Sequence, residues 1–377
     1  MKGIPGHIKK YFQEADCILI VLALVVSGIG LLFITSATRS YSNTTRFIVV
    51  QSVAIFIGLC GFIVISKLDF ERLCDFSRLI FIGSVLFLGS VLILGVGAET
   101  GNVSWLRFGS TINVGIQPSE VVKVCFCVTF AAHIKAVKDT LNHPKTLVFV
   151  LAHIGIIAGL IQMQGDTGTA IVFLFMAVVV LFCARLHIGY FIGGGVLMVL
   201  SLPLVWEYAL KTYQRNRILS VLYPELDPTG VGYQTVQCQT AIGSGQIWGQ
   251  GLFNGTLTQY ALIPEKHTDC IFAVIGEEGG FMACLIVIVL LLLIILRCFY
   301  IAGISKNFAG SLVCIAVGAK LLFQAMENIG MCLGVLPIIG ITLPFLSYGG
   351  SSVMSSFWCL GLVECIYRSR RDINFGE

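Results

Sequence analysis

Pro264-Glu265-Lys266-His267-Thr268-Asp269 places two carboxylates, an amine and an imidazole together, immediately before a long apolar run. At a membrane edge such a group can bind an anionic headgroup and supply a general base. The plainer alternative is a solvated loop end with a helix cap at Thr268 or Asp269, and composition alone leans towards it. In the same stretch, Tyr213-Gln214-Arg215-Asn216-Arg217 sets two guanidinium groups two residues apart. Planar arginine forks suit phosphate oxygens.

Other charges lie inside apolar segments, where each costs about 2.5–3.5 kcal/mol and therefore faces a partner or a cavity. Gln117-Pro118-Ser119-Glu120 opens one such segment. Glu120 and Lys123 share a helical face, so they either pair as a structural ion pair or point together into a cavity. Lys320, Gln324, Glu327 and Asn328 form a single polar stripe, which could line a substrate path or glue helices together. Glu277 and Glu278 open another apolar segment, where one is expected to pair with a basic neighbour. Asp166, in Gly165-Asp166-Thr167-Gly168-Thr169, is expected to cap the helix that follows it.

The elements that must position these groups are set by composition. Of 377 residues, 56% are hydrophobic and 12% charged. Such a chain is neither a soluble globule nor a disordered one. The apolar runs imply an all-α polytopic membrane protein of ten transmembrane helices. Their approximate cores are Cys17 to Ile34, Phe47 to Ile65, Leu79 to Val96, Pro118 to Ile134, Thr146 to Ile161, Thr169 to Ala184, Ile188 to Val205, Ile271 to Leu296, Gly310 to Gly334 and Pro344 to Ile366. Merging the fifth and sixth, which only Gln162 to Gly168 separates, gives nine spans instead.

Ten spans put 15 of the 24 basic residues on one side and 7 on the other, with Lys123 and Lys320 inside spans. Both termini are then cytoplasmic, and the net charge of +4 reflects topology rather than a nucleic-acid surface. The chain reads as one transmembrane domain over 1–377, with a large extracellular loop, 206–270, between helices seven and eight. Its Gln-rich part, Tyr233 to Gly243, suits a short helix or re-entrant turn, and the glycines after it suit tight turns. A second outer loop, Gly97 to Gln117, could lie along the bilayer surface. The 14 cysteines include no CxxC pair, so neither a zinc site nor a disulfide framework is indicated; Cys238 and Cys270 fall on the outer side, and pairing between them is a low expectation.

These same residues carry a resemblance. Asn328-Ile329-Gly330-Met331, Gly334-Val335-Leu336-Pro337-Ile338-Ile339-Gly340-Ile341 and Leu343-Pro344-Phe345-Leu346-Ser347-Tyr348-Gly349-Gly350-Ser351-Ser352 resemble the signature of the SEDS family (shape, elongation, division and sporulation). So do Gln117 to Glu120 with Lys123, Gly165 to Ala170, Ala241-Ile242-Gly243-Ser244-Gly245 and Pro264 to Asp269. The resemblance implies a peptidoglycan glycosyltransferase of the bacterial cytoplasmic membrane, which polymerises lipid II beside a class B penicillin-binding protein. It assigns the catalytic role to Asp269.

Candidate substrate and diphosphate ligands are Arg46, Glu120, Lys123, Asp166, Arg215, Arg217, Lys266 and His267, with or without a divalent cation. Asn254-Gly255-Thr256 with Gln259, and Tyr213-Gln214-Arg215 with Arg217, look more like the elongation branch than the division branch. Two positions depart from the pattern. Cys270 replaces a phenylalanine and Gly280 stands where leucine is common; neither supplies an acid or base, so they bear on local packing. The competing readings are a lipid II flippase, for which the Lys320 stripe lines the path, and a non-enzymatic scaffold for a penicillin-binding protein.

Overall fold

The computed structural model describes residues 15–96, 103–108, 114–210, 212–228 and 230–372, which are almost wholly helical. Helix α1 is Cys17–Thr38, α2 Thr44–Ile65, α3 Phe70–Asp75, α4 Ser77–Leu94, α5 Pro118–Ala136, α6 Pro144–Met163 and α7 Thr167–Cys183. Then come α8 Ile188–Leu204, α9 Thr212–Leu222, α10 Val231–Ser244, α11 Thr256–Gln259, α12 Ile271–Ile304, α13 Phe308–Cys332 and α14 Gly350–Asp372. Each expected apolar core overlaps one of the long helices α1, α2, α4 to α8 and α12 to α14.

Seven of these helices are long and apolar enough to cross a membrane. The other three are α7, a shorter apolar helix, and α5 and α14. The last two are less apolar because protein surrounds them: α5 buries Glu120, Lys123 and Thr129, and α14 buries Ser351, Ser355, Ser356 and Glu364. At the opposite extreme, α8 contributes no buried residue, so its apolar surface is left for lipid. The fifth and sixth cores are separate helices. Gly165 turns the chain at φ 86°, and Asp166 Oδ1 accepts from Thr169 N at 3.0 Å to start α7.

The last span begins later than its composition suggests, at Gly350 rather than Pro344. Gln51 holds the intervening turn open: its Nε2 donates to Ser347 O at 3.1 Å and its Oε1 accepts from Gly349 N at 3.2 Å. Close helix approach relies on small residues, as expected where lipid offers no hydrophobic driving force between helices. A Cβ on Gly361 of α14 would lie 3.0 Å from the Phe62 backbone of α2, and one on Gly58 3.0 Å from Phe357.

The loop between α4 and α5 contains a short antiparallel hairpin, β1 Leu106–Phe108 with β2 Val114–Ile116, in register Leu106↔Ile116 and Phe108↔Val114. Residues 97–102 and 109–113 of the expected surface segment lie outside the described residues. In the larger loop, the Gln-rich stretch is the helix α10, and Gly249 and Gly251 make tight turns at φ 79° and 93°.

Those turns dock into a break in α12. Gly280 adopts φ 68°, ψ −169°, a conformation essentially confined to glycine. The backbone groups that the break frees are taken up by the loop. Phe281 N donates to Gln246 O at 2.8 Å, Gln250 N to Glu277 O at 2.9 Å and Gly251 N to Glu278 O at 3.0 Å.

Candidate active site

The Pro264 to Cys270 segment is a closed turn. Glu265 takes φ 45°, and its carbonyl accepts from Thr268 N and Cys270 N, each at 3.1 Å. Thr268 Oγ1 donates to Glu265 Oε2 at 2.8 Å. This leaves Asp269 two residues before α12, where α13 holds it from the other side. Asn328 Nδ2 donates to Asp269 O and to Ile341 O, both at 2.8 Å. The carboxyl lies over the Gly340 turn, with Oδ2 3.6 Å from where a Cβ on Gly340 would be.

Asp269 is half-buried, and burial pushes its pKa up to about 7, aided by the Cys270 and Glu265 charges and opposed by the Arg217 guanidinium. A carboxyl poised there is suited to accept a proton at neutral pH. Glu327 of the α13 stripe is close enough for its charge to interact with that of Asp269, and the Ile339 backbone lies beside it. Neither Glu327 carboxylate oxygen has a well-formed hydrogen bond among the described residues.

His267 lines an aromatic recess. Its ring is 5.0 Å from Phe47, 5.5 Å from Tyr348 and 5.7 Å from Tyr41, centroid to centroid. Tyr348 N donates to His267 O at 2.8 Å. Burial lowers the His267 pKa, with Glu265 opposing and Lys266 assisting. Arg46, exposed near the start of α2, is close enough for its charge to act on Tyr348.

The other sequence-predicted residues have engaged side chains away from the Asp269 carboxyl. Lys266 turns inward: Nζ donates to Ser40 Oγ and Thr258 O, each at 2.6 Å, and burial lowers its pKa to about 8 against the pull of Glu278 and Glu277. Arg215 ties back to the segment that follows α8, with Nε donating to Leu210 O at 3.1 Å and an outer nitrogen to Glu207 O at 2.6 Å. Asp166 caps α7 and accepts from Gln117 Nε2 at 2.9 Å. Glu120 and Lys123 pair at 2.7 Å inside the bundle, where Ser355 Oγ donates to the second Glu120 oxygen at 2.7 Å.

Among the described residues, neither Glu277 nor Glu278 forms a direct ion pair with a base. Glu277 accepts from Leu257 N, Thr258 N and Thr258 Oγ1 at 2.7, 2.9 and 2.6 Å, which caps α11. Glu278 Oε1 accepts from Ser36 Oγ at 2.6 Å and Gln259 Nε2 at 3.0 Å. Sequence reasoning also missed that Asn328 and Glu327 belong with Asp269. The stripe's spacing showed that they share a face, and nothing local shows which loop covers that face.

A half-buried acid beside a large loop, on a scaffold of apolar helices with a polar interior, defines a multi-pass membrane protein with a site at one end of the bundle. Residues 15–372 match the FTSW_RODA_SPOVE cell cycle protein model, and the chain belongs to that family. It is 34% identical over 272 residues to the peptidoglycan glycosyltransferase MrdB of Escherichia coli (strain K12), covering 72% of each chain. It is 29% identical over 365 residues to the probable peptidoglycan glycosyltransferase FtsW of Trichlorobacter lovleyi, covering 94% of each.

Two solved structures share the fold. One is a chain of a peptidoglycan synthase complex that coordinates polymerization and crosslinking, at 30% identity and TM-score 0.81, covering 94% of this chain and 98% of that one. The other is the rod shape determining protein RodA of Thermus thermophilus, at 25% identity and TM-score 0.69, covering 94% and 97%.

Proposed function

We propose that this chain is a peptidoglycan glycosyltransferase that polymerises lipid II into glycan strands with inversion, and that Asp269 is its general base. The observation that carries the role of Asp269 is its half-buried carboxyl, raised to about 7 within the electrostatic reach of Arg217. The names of the relatives support the reaction class. The 4-hydroxyl of an acceptor sugar attacks the anomeric carbon of the donor. Asp269 takes the hydroxyl proton as the new C–O bond forms. The bond from the anomeric carbon to the phosphate oxygen breaks, and undecaprenyl diphosphate leaves with the electron pair.

Arg217 and Arg46 supply positive charge to that leaving group. His267 lines the recess beside the reacting sugars. Asp166, Arg215, Lys266 and the Glu120–Lys123 pair act as positioning residues. Ten helices span the bilayer, both termini are cytoplasmic, and the 206–270 loop faces outward. A class B penicillin-binding protein is the partner, a reading supported by the likeness to a synthase-complex chain. The elongation role rests on the Asn254 to Gln259 and Tyr213 to Arg217 motifs.

The test is to incubate purified protein, with and without a class B partner, with labelled lipid II and resolve glycan products on a gel. A ladder with wild type and none with Asp269→Asn is expected. No ladder under any partner condition overturns the enzyme reading, and a normal ladder from the variant overturns the role of Asp269.

A further inference from the structure

Three cysteines from separate parts of the chain converge beside the Asp269 turn. Cys238 comes from α10, Cys270 from the residue before α12, and Cys332 from the last position of α13. All three are buried, and their Sγ atoms lie within 4.8 Å of one another. We propose that Cys238, Cys270 and Cys332 bind one thiophilic d10 cation of the zinc type, which pins α10, the Asp269 turn and α13 together.

The geometry suits that occupant. Zinc–thiolate bonds of about 2.3 Å place tetrahedral sulfurs about 3.8 Å apart. Cys238 and Cys270 Sγ are 2.9 Å apart, so a cation would part them by about 0.9 Å. A disulfide would instead draw them to about 2.05 Å, a comparable movement. The third thiol separates the two outcomes. A disulfide uses two sulfurs and leaves Cys332 over, whereas a cation uses all three.

A second observation points to ligation. Gln234 Nε2 donates to Cys270 Sγ at 3.1 Å, and an N–H donor on sulfur favours the thiolate, the form that binds metal. Binding one divalent ion to three thiols releases three protons and leaves a tris-thiolate centre of net charge −1. The Gln234 carboxamide or a water fills the fourth position. The site is read from this chain's own three thiols. It does not depend on the polymerase reading.

The test uses full-length protein purified in detergent without a metal-affinity tag, supplied with Zn2+ and then dialysed. Elemental mass spectrometry is expected to find one zinc per chain. Replacement by Co2+ is expected to give intense thiolate-to-cobalt charge-transfer absorption and the visible bands of tetrahedral cobalt. Both signals fall to background in Cys332→Ser and in Cys238→Ser, while Cys284→Ser, a buried cysteine elsewhere on α12, retains them. Wild-type stoichiometry and the cobalt spectrum decide the matter even if a variant folds poorly. Zinc at the same level in a Cys238→Ser/Cys332→Ser double variant means adventitious metal only, and overturns the proposal. A Cys238–Cys270 disulfide found by peptide mapping, or three free thiols with no zinc, overturns it too.

Discussion

Replacing Asp269 by Asn should abolish glycan synthesis and also make the protein more stable, with the second effect dependent on pH. The Asp269 carboxyl is displaced from 3.8 to about 7, chiefly by burial. At 1.36 kcal/mol per pH unit, its ionised form is disfavoured in the folded protein by about 4 kcal/mol. Part of the side chain stays open to solvent, so roughly half, about 2 kcal/mol, is the working figure. The folded-state pKa lies above the unfolded one, so the penalty is absent below about pH 4, grows through about pH 7 and is complete above it.

Asparagine has the same shape and no charge, so it escapes the penalty. Thermal unfolding in detergent should find Asp269→Asn more stable than wild type by about 2 kcal/mol at pH 8, and by roughly a third of that at pH 5. In the lipid II assay the same variant should lose about 10²-fold to 10⁴-fold in rate. A variant no more stable than wild type at pH 8, or a stability gap equal at both pH values, would refute the reasoning.

The rate of glycan synthesis should rise with pH along a limb centred near 7; Arg217→Gln should move that limb to higher pH and Glu265→Gln to lower pH, and movement in the same direction for both would count against the base assignment. Gly280→Ala should cost about 1–3 kcal/mol because its φ of 68° with extended ψ excludes a side chain, and a Cβ there would lie 2.6 Å from Ile247 O; an unchanged melting temperature would show that the break in α12 is not needed. Asn328→Ala strips the donor from two carbonyls at about 1–3 kcal/mol each, lowering both melting temperature and rate. Asn328→Asp should be at least as damaging, since a carboxylate cannot donate. Lys123→Met should cost about 3–5 kcal/mol by leaving Glu120 buried and unpaired, and adding Glu120→Gln should restore most of it; a double variant as unstable as the single one would contradict the pairing.

Much of the fold could be read locally. The long apolar runs fixed where helices form, and each expected core overlaps one. Asp166 is the cap its neighbours suggested, because an N-cap needs only the residues that follow it. The start of α14 was misjudged for the opposite reason. Pro344 to Gly349 is apolar enough to extend a span, and only the distant Gln51 shows why it turns instead.

The site divides along the same line. By itself the sequence determined that this is a helical membrane chain with a cluster of ionisable groups in the loop before α12, and its resemblance to the family singled out Asp269 among them. Only the tertiary structure decided what each charge does. Lys266 reaches inward to Ser40, Glu278 to Ser36, and Asn328 holds the Asp269 carbonyl, and the cysteines at 238, 270 and 332 meet. Helical periodicity tells which residues share a face, because that follows from backbone geometry alone. Which polar group satisfies another across tens or hundreds of residues depends on how the helices pack, and burial then sets whether a carboxyl such as Asp269 holds its proton near neutral pH.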